Sequence, residues 1–352
     1  MADVATMSAV PDAERLRRLR LAAQALAPGT QAADVRAAAR RVVGVQAQDV
    51  RAARLALRSR VVGLDRAAVD APGLVRTWTV RGTVHLLDVD DLPWLHALTG
   101  PRNRRYFDGL IAKRGNLELA RAMRGAIVAV LEERGPATRA EVLAELAARG
   151  RHEELGPRSV NVIIPWVAAH GLVVGLADGR FRAAESPAPV GEEEALVTLA
   201  ARYLAGYGPA TAADLASWSG LGVTTARRAL DALGEVEVAG DLVALPGTFD
   251  AEPPPAPTAS LLAAFDTTML GHRTREPYVR ATDDHHVLPG GGMLRPVVLA
   301  RGQAAGTWRT AGSGPRRTLA VSWFGRPAAA RALAAEARDV GRFLGLELRL
   351  TG

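Results

Sequence analysis

A tetrapeptide that occurs twice is the feature that most constrains how this chain can fold. Gly135-Pro136-Ala137-Thr138 recurs 73 residues later as Gly208-Pro209-Ala210-Thr211. Apolar residues at helical spacing precede each copy: Ile127, Val130 and Leu131 in the first, and Leu196, Leu199, Tyr203 and Leu204 in the second. Each threonine can cap a new helix, with Glu141 or Asp214 three residues later as its reciprocal partner. The repeat predicts two copies of one structural unit.

The residues after each tetrapeptide predict the same continuation. After the first copy, residues 158–170 predict a helix closed by Gly171, and a hairpin follows with its turn at Asp178-Gly179. After the second copy, residues 224–233 predict the helix and Gly240-Asp241 the hairpin turn. Three helices followed by a two-stranded hairpin form the winged-helix variant of helix-turn-helix, whose third helix usually enters the major groove of DNA.

A weaker copy of the pattern lies near the N-terminus. Ala27-Pro28-Gly29-Thr30 follows an amphipathic stretch, and two helical segments come after it. Two β-rich runs, residues 76–80 and 83–87, flank a tight turn at Arg81-Gly82 and predict the corresponding wing. A proline-rich linker at residues 251–257 is then expected to separate this region from a tail of short apolar runs and glycine-rich turns. That tail predicts a small β-barrel or a strongly bent sheet.

These patterns together predict an α+β protein with three tandem winged-helix domains and a C-terminal β-barrel-like domain. The chain has 352 residues, of which 48% are hydrophobic, and this is enough for more than one core. The expected boundaries are residues 14–110, 118–186, 190–248 and 258–352.

Charge and cysteine content narrow the function classes. The net charge of +7 favours a polyanionic partner such as nucleic acid, although arginine and alanine abundance also follows from GC-rich codon usage. The absence of cysteine excludes disulfides, thiolate metal sites and a cysteine nucleophile. The sequence has neither a signal-peptide core at residues 1–20 nor an apolar run of about 20 residues, so we expect a cytoplasmic protein outside the membrane.

Two glutamines near the N-terminus form the main candidate site. Gln46-Ala47-Gln48 stands before a helix that Asp49 can cap. Residues two apart point to the same side of an extended segment, so both amides should face the same way. The helix N-terminus adds a partial positive charge suited to a phosphate. Arg51, Arg54 and Arg58 follow on one stripe of that helix, and we expect Arg51 and Arg54 to contact DNA.

The sequence resembles the winged-helix DNA glycosylases of the AlkZ type over most of its length. The resemblance rests on residues 45–49, 76–85, 265–273 and 294–299. That family combines a tandem winged-helix body with a C-terminal β-barrel, and its catalytic motif is glutamine, hydrophobic residue, glutamine. The resemblance implies that Gln46 and Gln48 are the catalytic pair of a monofunctional glycosylase. Its implied substrates are N7-alkylguanine or related bulky adducts in double-stranded DNA, with interstrand crosslinks as a further candidate.

The chemistry of an amide pair limits what such a site can do. Glutamine is no general base at neutral pH, but it can hold a water beside the developing sugar cation. The substrate must therefore supply the reactivity, as an N7-alkylated purine does because it is already positively charged. Lys113 is the only lysine available for imine chemistry. No cofactor is expected.

Further DNA contacts are predicted at Arg81 and His85 in the first wing and at His272 and Arg273 in the tail. Each has a plain structural alternative: His85 as a core histidine, and residues 272–273 as a solvated loop. Asp283-Asp284-His285-His286 carries metal-ligand side chains, but consecutive residues rarely converge on one ion. We therefore expect a polar loop there and no metal.

A different class of function is also compatible with the predicted scaffold. A non-catalytic tandem winged-helix protein, such as a transcriptional regulator, would bind DNA with the same modules. Such a regulator should give a sequence-specific footprint, whereas a glycosylase should bind mainly through the DNA backbone and the lesion. With three modules in one chain, we expect the protein to act as a monomer.

Overall fold

Helices and short strands alternate along the chain, which is a mixed α+β protein as predicted. A computed structural model describes residues 6–70, 72–113, 117–150, 157–185 and 189–352. The elements of the first half are β1 (Thr6–Met7), α1 (Ala13–Ala23), α2 (Val35–Arg41), β2 (Val45–Gln46), α3 (Val50–Arg58), β3 (Leu74–Trp78), β4 (Val84–Asp88), α4 (Leu92–Ala112), α5 (Leu117–Arg134), α6 (Arg139–Ala148) and α7 (Pro157–Ala169). The remaining elements are β5 (Val173–Gly175), β6 (Phe181–Ala183), α8 (Glu192–Tyr207), α9 (Ala212–Ser219), α10 (Val223–Asp231), β7 (Glu237–Ala239), β8 (Leu242–Ala244), β9 (Ala259–Leu262), α11 (Thr267–Leu270), α12 (Asp284–Val287), β10 (Val297–Ala300), β11 (Gln303–Ala311), β12 (Arg316–Trp323), α13 (Ala330–Leu344) and β13 (Glu347–Thr351).

These elements divide into two units. Unit 1 comprises the residues up to Val69 together with Val197–Gly352, and unit 2 comprises Asp70–Leu196. The tail from residue 258 belongs to the same unit as the N-terminal helices. Residues 151–156 and 186, which fall in the predicted second module, lie outside the described residues.

Unit 2 contains the first copy of the repeat, in the predicted order α5, α6, α7, β5, β6. Thr138 caps α6, and its hydroxyl accepts from the Glu141 amide at 3.2 Å while the Glu141 carboxylate accepts from the Thr138 amide at 2.7 Å. Ala137 and Phe181 exchange two backbone hydrogen bonds, of 2.9 and 2.7 Å, so the start of α6 is fixed to the second hairpin strand. Ile127 belongs to the buried core of this unit.

The second copy, α8, α9, α10, β7, β8, repeats these contacts. Thr211 and Asp214 form the capping box of α9. Ala210 and Val243 exchange backbone hydrogen bonds of 3.0 and 2.8 Å, as Ala137 and Phe181 do in the first copy. The predicted sequence of three helices and a hairpin is therefore confirmed in both copies.

The predicted first wing is also present. Strands β3 and β4 pair antiparallel, with Thr77 opposite His85, and lie beside the β5–β6 hairpin in the order β4-β3-β5-β6. A short 3₁₀ turn at Val80–Gly82 joins them. Arg81 adopts a left-handed conformation there, with a φ of 55°.

The tail forms a five-stranded sheet in the order β13-β12-β11-β10-β9. Neighbours pair antiparallel except β12 and β13, which are parallel and are connected through α13. The sheet is open, a half-barrel with β9 and β13 at its edges, and so differs from a closed barrel. Leu21 and Leu26, from α1 and the residues after it, share its core with Leu262 and Leu299.

The proline-rich stretch is attached to α1. The Arg15 guanidinium donates to the Phe249 and Ala251 carbonyls at 2.7 and 2.8 Å. Arg18 donates to the carbonyls of Pro253 and Pro254. These bonds explain why the tail and the N-terminal helices belong to one unit, although the composition of the stretch suggested a separating linker.

Candidate active site and nucleic-acid interface

The two glutamine side chains point the same way, as the spacing predicts. The Gln46 Nε2 donates to Gln48 Oε1 at 2.9 Å. Ala47 between them is buried, with 1% of its surface exposed, because neighbouring residues of an extended segment face opposite sides. Gln46 is 8% exposed and Gln48 is exposed. The Gln46 side chain is therefore largely buried, whereas the Gln48 side chain is accessible to solvent.

Helix α3 begins directly after this pair. The Asp49 carboxylate caps it by accepting from the amides of Arg51 and Ala52 at 2.9 and 3.1 Å, which confirms the predicted cap. The cap fixes where the helix starts. The glutamine amides consequently lie at the positive end of a nine-residue helix, where an anion is stabilised.

The arginine stripe on α3 runs from the surface into the interior. Arg51 is exposed and donates to the Thr310 hydroxyl of β11 at 3.3 Å. Arg54 is 8% exposed. Arg58 is buried and pairs with Asp339 at 2.8 Å and Glu336 at 3.2 Å, both on α13. Of the two arginines predicted to contact DNA, Arg51 is thus the accessible one, because the rest of α3 packs inside unit 1.

Arg81 and His85, the two DNA contacts predicted in unit 2, also differ in how exposed they are. Arg81 is half-buried in the turn. His85 is 3% exposed, and its Nδ1 donates to the Thr83 carbonyl at 3.1 Å and lies 3.0 Å from the Thr79 hydroxyl. Burial, reinforced by the charge of Arg81, lowers the pKa of His85 to about 3. The imidazole is therefore neutral at physiological pH, and its position favours the structural alternative over a phosphate contact.

Of the two DNA contacts predicted in the tail, His272 is buried and Arg273 is exposed. His272 is 7% exposed, and its Nε2 donates to the Tyr207 carbonyl at 2.9 Å. Burial and the charge of Arg20 lower the pKa of His272 to about 3. Arg273 is exposed, and its backbone amide donates to Asp214 at 2.9 Å. A direct DNA contact is compatible with Arg273, whereas His272 lies inside unit 1.

Comparison with known proteins agrees with the motif. A sequence profile described as "DNA glycosylase AlkZ-like" matches residues 39–343, which include both glutamines. The chain belongs to the AlkZ-like DNA glycosylase family. A curated relative from Streptomyces sahachiroi, named "Interstrand DNA cross-link repair glycosylase", is 30% identical over 328 residues, which cover 82% of this chain and 85% of the relative.

The fold is similar as well. The structure of Streptomyces sahachiroi DNA glycosylase AlkZ superposes with a TM-score of 0.74 at 22% identity, over 96% of this chain and 99% of that one. Family membership makes the protein a DNA glycosylase, a class of DNA-repair enzyme, and so decides against the non-catalytic alternative.

The acidic and histidine-rich segment of this AlkZ-like glycosylase is a short helical turn. Asp284 pairs with Arg275 and Asp283 pairs with Arg280, while His286 stacks on Phe324 at 4.8 Å. The predicted polar loop is therefore partly helical, over Asp284–Val287. Across the described residues, no group of three histidine, aspartate or glutamate side chains is placed to hold a metal ion. Nor does any described helix have the length and apolarity to cross a membrane.

A buried polar network behind the α3 helix was not predicted from the sequence. Arg60 and Asp266 are both fully buried, and their side chains join at 2.8 and 3.0 Å. Arg60 also donates to Gln24 and Thr267. Burial alone would raise the pKa of Asp266, but the charge of Arg60 and the hydrogen bonds keep that pKa below its ordinary value. The only signal in the sequence was the family resemblance at residues 265–273.

Proposed function

We propose that this glycosylase is monofunctional and excises N7-alkylated or other bulky alkylpurine adducts, with Gln46 and Gln48 holding the hydrolytic water. The observation that carries the proposal is the amide pair, joined at 2.9 Å, at the N-terminus of α3. Its two amides offer both donors and acceptors, so one water can be held by both side chains.

The chemistry of the pair suits a substrate that already carries positive charge. Neither amide can take a proton at neutral pH, so neither can act as a general base of ordinary strength. A cationic N7-alkylpurine leaves without protonation, and the site then has only to orient water and stabilise the sugar cation through its carbonyl oxygens. A neutral, undamaged base has no such driving force, which would protect normal DNA.

Direct hydrolysis also fits the inventory of nucleophiles. An imine mechanism of the common type needs a lysine amine, and the sequence has a single lysine, Lys113, which no part of the glutamine motif includes. The chain has no cysteine. We therefore propose that water attacks the anomeric carbon, the bond from that carbon to the purine nitrogen breaks, and the product is an abasic site.

Binding of double-stranded DNA is proposed to rest mainly on backbone contacts. Arg51, Arg81 and Arg273 are the proposed phosphate ligands, because they are the predicted arginines that are exposed or half-buried. We propose that both repeat copies and the N-terminal helices with the β3–β4 wing act as three tandem winged-helix modules. A single chain then supplies all three modules, and we propose that it acts as a cytoplasmic monomer.

Interstrand crosslinks are proposed as a further substrate. The relative from Streptomyces sahachiroi carries that activity in its name. A crosslink through purine N7 atoms has the same cationic leaving group on each strand, so the same amide pair would serve. In that case the glycosylase would unhook the crosslink one purine at a time.

The test is abasic-site formation in a duplex that carries one N7-alkylguanine, small or bulky, followed by alkaline strand cleavage under single-turnover conditions. We expect Gln46→Ala and Gln48→Ala to lower the rate about 100-fold or more, the usual range for removing a group that stabilises a transition state. Their affinity for the same duplex should change little, because the amides are not the phosphate ligands.

Gln31→Ala is the matched control, since Gln31 is another glutamine of unit 1 and its amide donates only locally, to the Ala27 carbonyl at 3.0 Å. Its rate should equal that of the wild type. The proposed mechanism would be contradicted if the wild type formed no abasic site at either the small or the bulky lesion. It would also be contradicted if the glutamine variants retained the full rate.

A further inference from the structure

Unit 1 contains a cavity of about 410 Å³ that the proposed reaction does not use. Its lining includes Arg280, Arg301 and Arg326, together with Gln303 and Thr258, and it includes no carboxylate. A volume of this size is within the range of small-ligand sites. A cavity with three arginines and no acidic residue in its lining is suited to an anion.

Two of these arginines differ from the third in their contacts. Within the part of the chain that the structure describes, the side chains of Arg301 and Arg326 take part in no hydrogen bond or ion pair, and both residues are exposed. Arg280 pairs with Asp283 at 2.6 Å. Many other arginines of unit 1 bind carbonyls or carboxylates, as Arg58 and Arg60 do, whereas Arg301 and Arg326 retain their donors for a ligand.

The N-terminus of α13 forms another part of the wall. Pro327, Ala328 and Ala329 line the cavity, and Ala329 is the N-cap residue of this 15-residue helix. Its methyl side chain cannot accept a hydrogen bond, so no side chain caps the helix. The first backbone amides of a helix need acceptors and carry a partial positive charge. Their partial charge has the same sign as that of the arginines that line the cavity.

The walls are held by backbone hydrogen bonds. The Arg301 amide donates to the Thr258 carbonyl at 3.3 Å, and the Ala304 amide donates to Tyr278 at 2.9 Å. Gly325 donates to the Ala305 carbonyl at 2.9 Å. Gly302, at the hairpin turn, fits so closely against α1 that a Cβ atom would lie 2.7 Å from Leu21. The arginines therefore extend from a fixed frame.

We infer that this cavity is a phosphate-binding site, formed by Arg301, Arg326 and the uncapped N-terminus of α13. A phosphate group supplies the several oxygen acceptors that paired guanidinium groups and helix amides need. The same chemistry is offered by a phosphate of the DNA backbone and by a free nucleotide or polyphosphate.

The place of the cavity in the sheet separates it from the glutamine pair. Gln303 begins β11 at the cavity, and Thr310, which Arg51 contacts, lies seven residues further along the same strand. At about 3.3 Å per residue, Gln303 and Thr310 are roughly 23 Å apart along the strand, so the cavity lies away from the position that Arg51 contacts.

The test measures thermal unfolding of the protein alone with inorganic pyrophosphate, at constant ionic strength adjusted with sodium chloride. We expect pyrophosphate to raise the Tm of the wild type by roughly 2–4 °C, because a ligand that binds only the folded state stabilises it. Arg301→Ala/Arg326→Ala should lose this shift. Arg338→Ala/Arg349→Ala, which removes two exposed arginines outside the cavity, should keep it.

A second variant tests the helix terminus and does not depend on the stability of the arginine variant. Ala329→Asp places a carboxylate where the anion would bind and also caps α13, so its Tm without ligand should rise by roughly 2–4 °C. Pyrophosphate should then give no further shift. Ala329→Ser caps the helix without charge and should retain the response to pyrophosphate.

The source of the phosphate follows from the salt dependence of binding to an undamaged duplex. If a DNA phosphate enters the cavity, the plot of log K against log salt should be less steep for the arginine variant. The expected change is that of roughly one to two lost phosphate contacts. An unchanged slope with intact pyrophosphate binding assigns the cavity to a free phosphate compound. Equal or absent pyrophosphate shifts in the wild type, the arginine variant and Ala329→Asp would overturn the inference, whatever the outcome of the glycosylase assay.

Discussion

Arg60 and Asp266 form an ion pair in which both side chains are completely buried, although 206 positions separate them in the chain. The pair joins the residue just after α3 to the N-cap of α11. Asp266 also accepts from the Thr268 amide at 3.0 Å. The helix that begins beside the glutamines is therefore anchored, at its other end, to the tail of the protein.

Removal of one member of this pair should be costly. Asp266→Ala leaves the Arg60 charge buried without its counter-ion, and we expect a loss of about 3–5 kcal/mol in the free energy of unfolding. Arg60→Met/Asp266→Leu removes both charges and should be less harmful than Asp266→Ala alone. Urea unfolding measures both variants.

The exposed pair of Arg316 and Glu347 gives the control, because its side chains are 85% and 76% exposed. Arg316→Ala should leave the urea midpoint almost unchanged. A similar midpoint for Asp266→Ala and Arg316→Ala would show that the buried pair does not stabilise unit 1.

The two capping boxes should differ in their contribution to stability. Asp214 is also within 3.6 Å of Arg20, whose side chain is 5% exposed, and it accepts from the Arg273 amide. Glu141 of the first copy is exposed and serves the cap alone. We expect Asp214→Ala to cost about 3 kcal/mol, because it leaves Arg20 buried without a carboxylate.

Glu141→Ala should have a much smaller effect in the same urea titration, because it removes an exposed acceptor. A larger loss for Glu141→Ala than for Asp214→Ala would mean that the equivalent positions of the repeat do not differ as their burial indicates.

Local signals account for what the sequence predicted correctly. The threonine caps, the glycine turns and the apolar periodicity each act within a few residues, and they located the three helices and hairpin of both repeat copies. The same holds for Gln46, Gln48 and the Asp49 cap, since a two-residue spacing in an extended segment decides which side the amides face.

Contacts between segments that are distant in the sequence could not be predicted from these local patterns. Arg58 and Arg60 bind carboxylates more than 200 residues away, so arginines that composition would assign to DNA binding instead stabilise the interior. The grouping of the N-terminal helices with the tail has the same origin. His272 shows the limit at single-residue level, because a polar loop sequence gives no indication that its imidazole is buried.

Arg51 should contribute to DNA affinity through one phosphate. It is exposed at the first turn of α3, and its side chain donates a hydrogen bond of 3.3 Å to the Thr310 hydroxyl. We expect Arg51→Ala to weaken duplex binding and to lower the slope of log K against log salt by about 0.9, the value for one phosphate contact. Fluorescence anisotropy from 50 to 200 mM salt measures the slope. An unchanged slope, equal to that of Arg338→Ala, would exclude Arg51 as a phosphate ligand.

His272 should make unit 1 sensitive to mild acid. In the unfolded chain an imidazole gains a proton near pH 6.5, whereas the folded pKa of His272 is about 3. The unfolded state therefore binds more protons between these values, and stability falls as the pH drops from 6.5 toward 3, by about 1.4 kcal/mol per pH unit. Urea unfolding of His272→Gln from pH 7.5 to 5.0 should show a correspondingly shallower loss, whereas His285→Gln, at an exposed histidine, should retain the wild-type profile. Identical profiles for the two variants would mean that the His272 imidazole is protonated in the folded protein, and hence that burial and the charge of Arg20 do not hold it neutral.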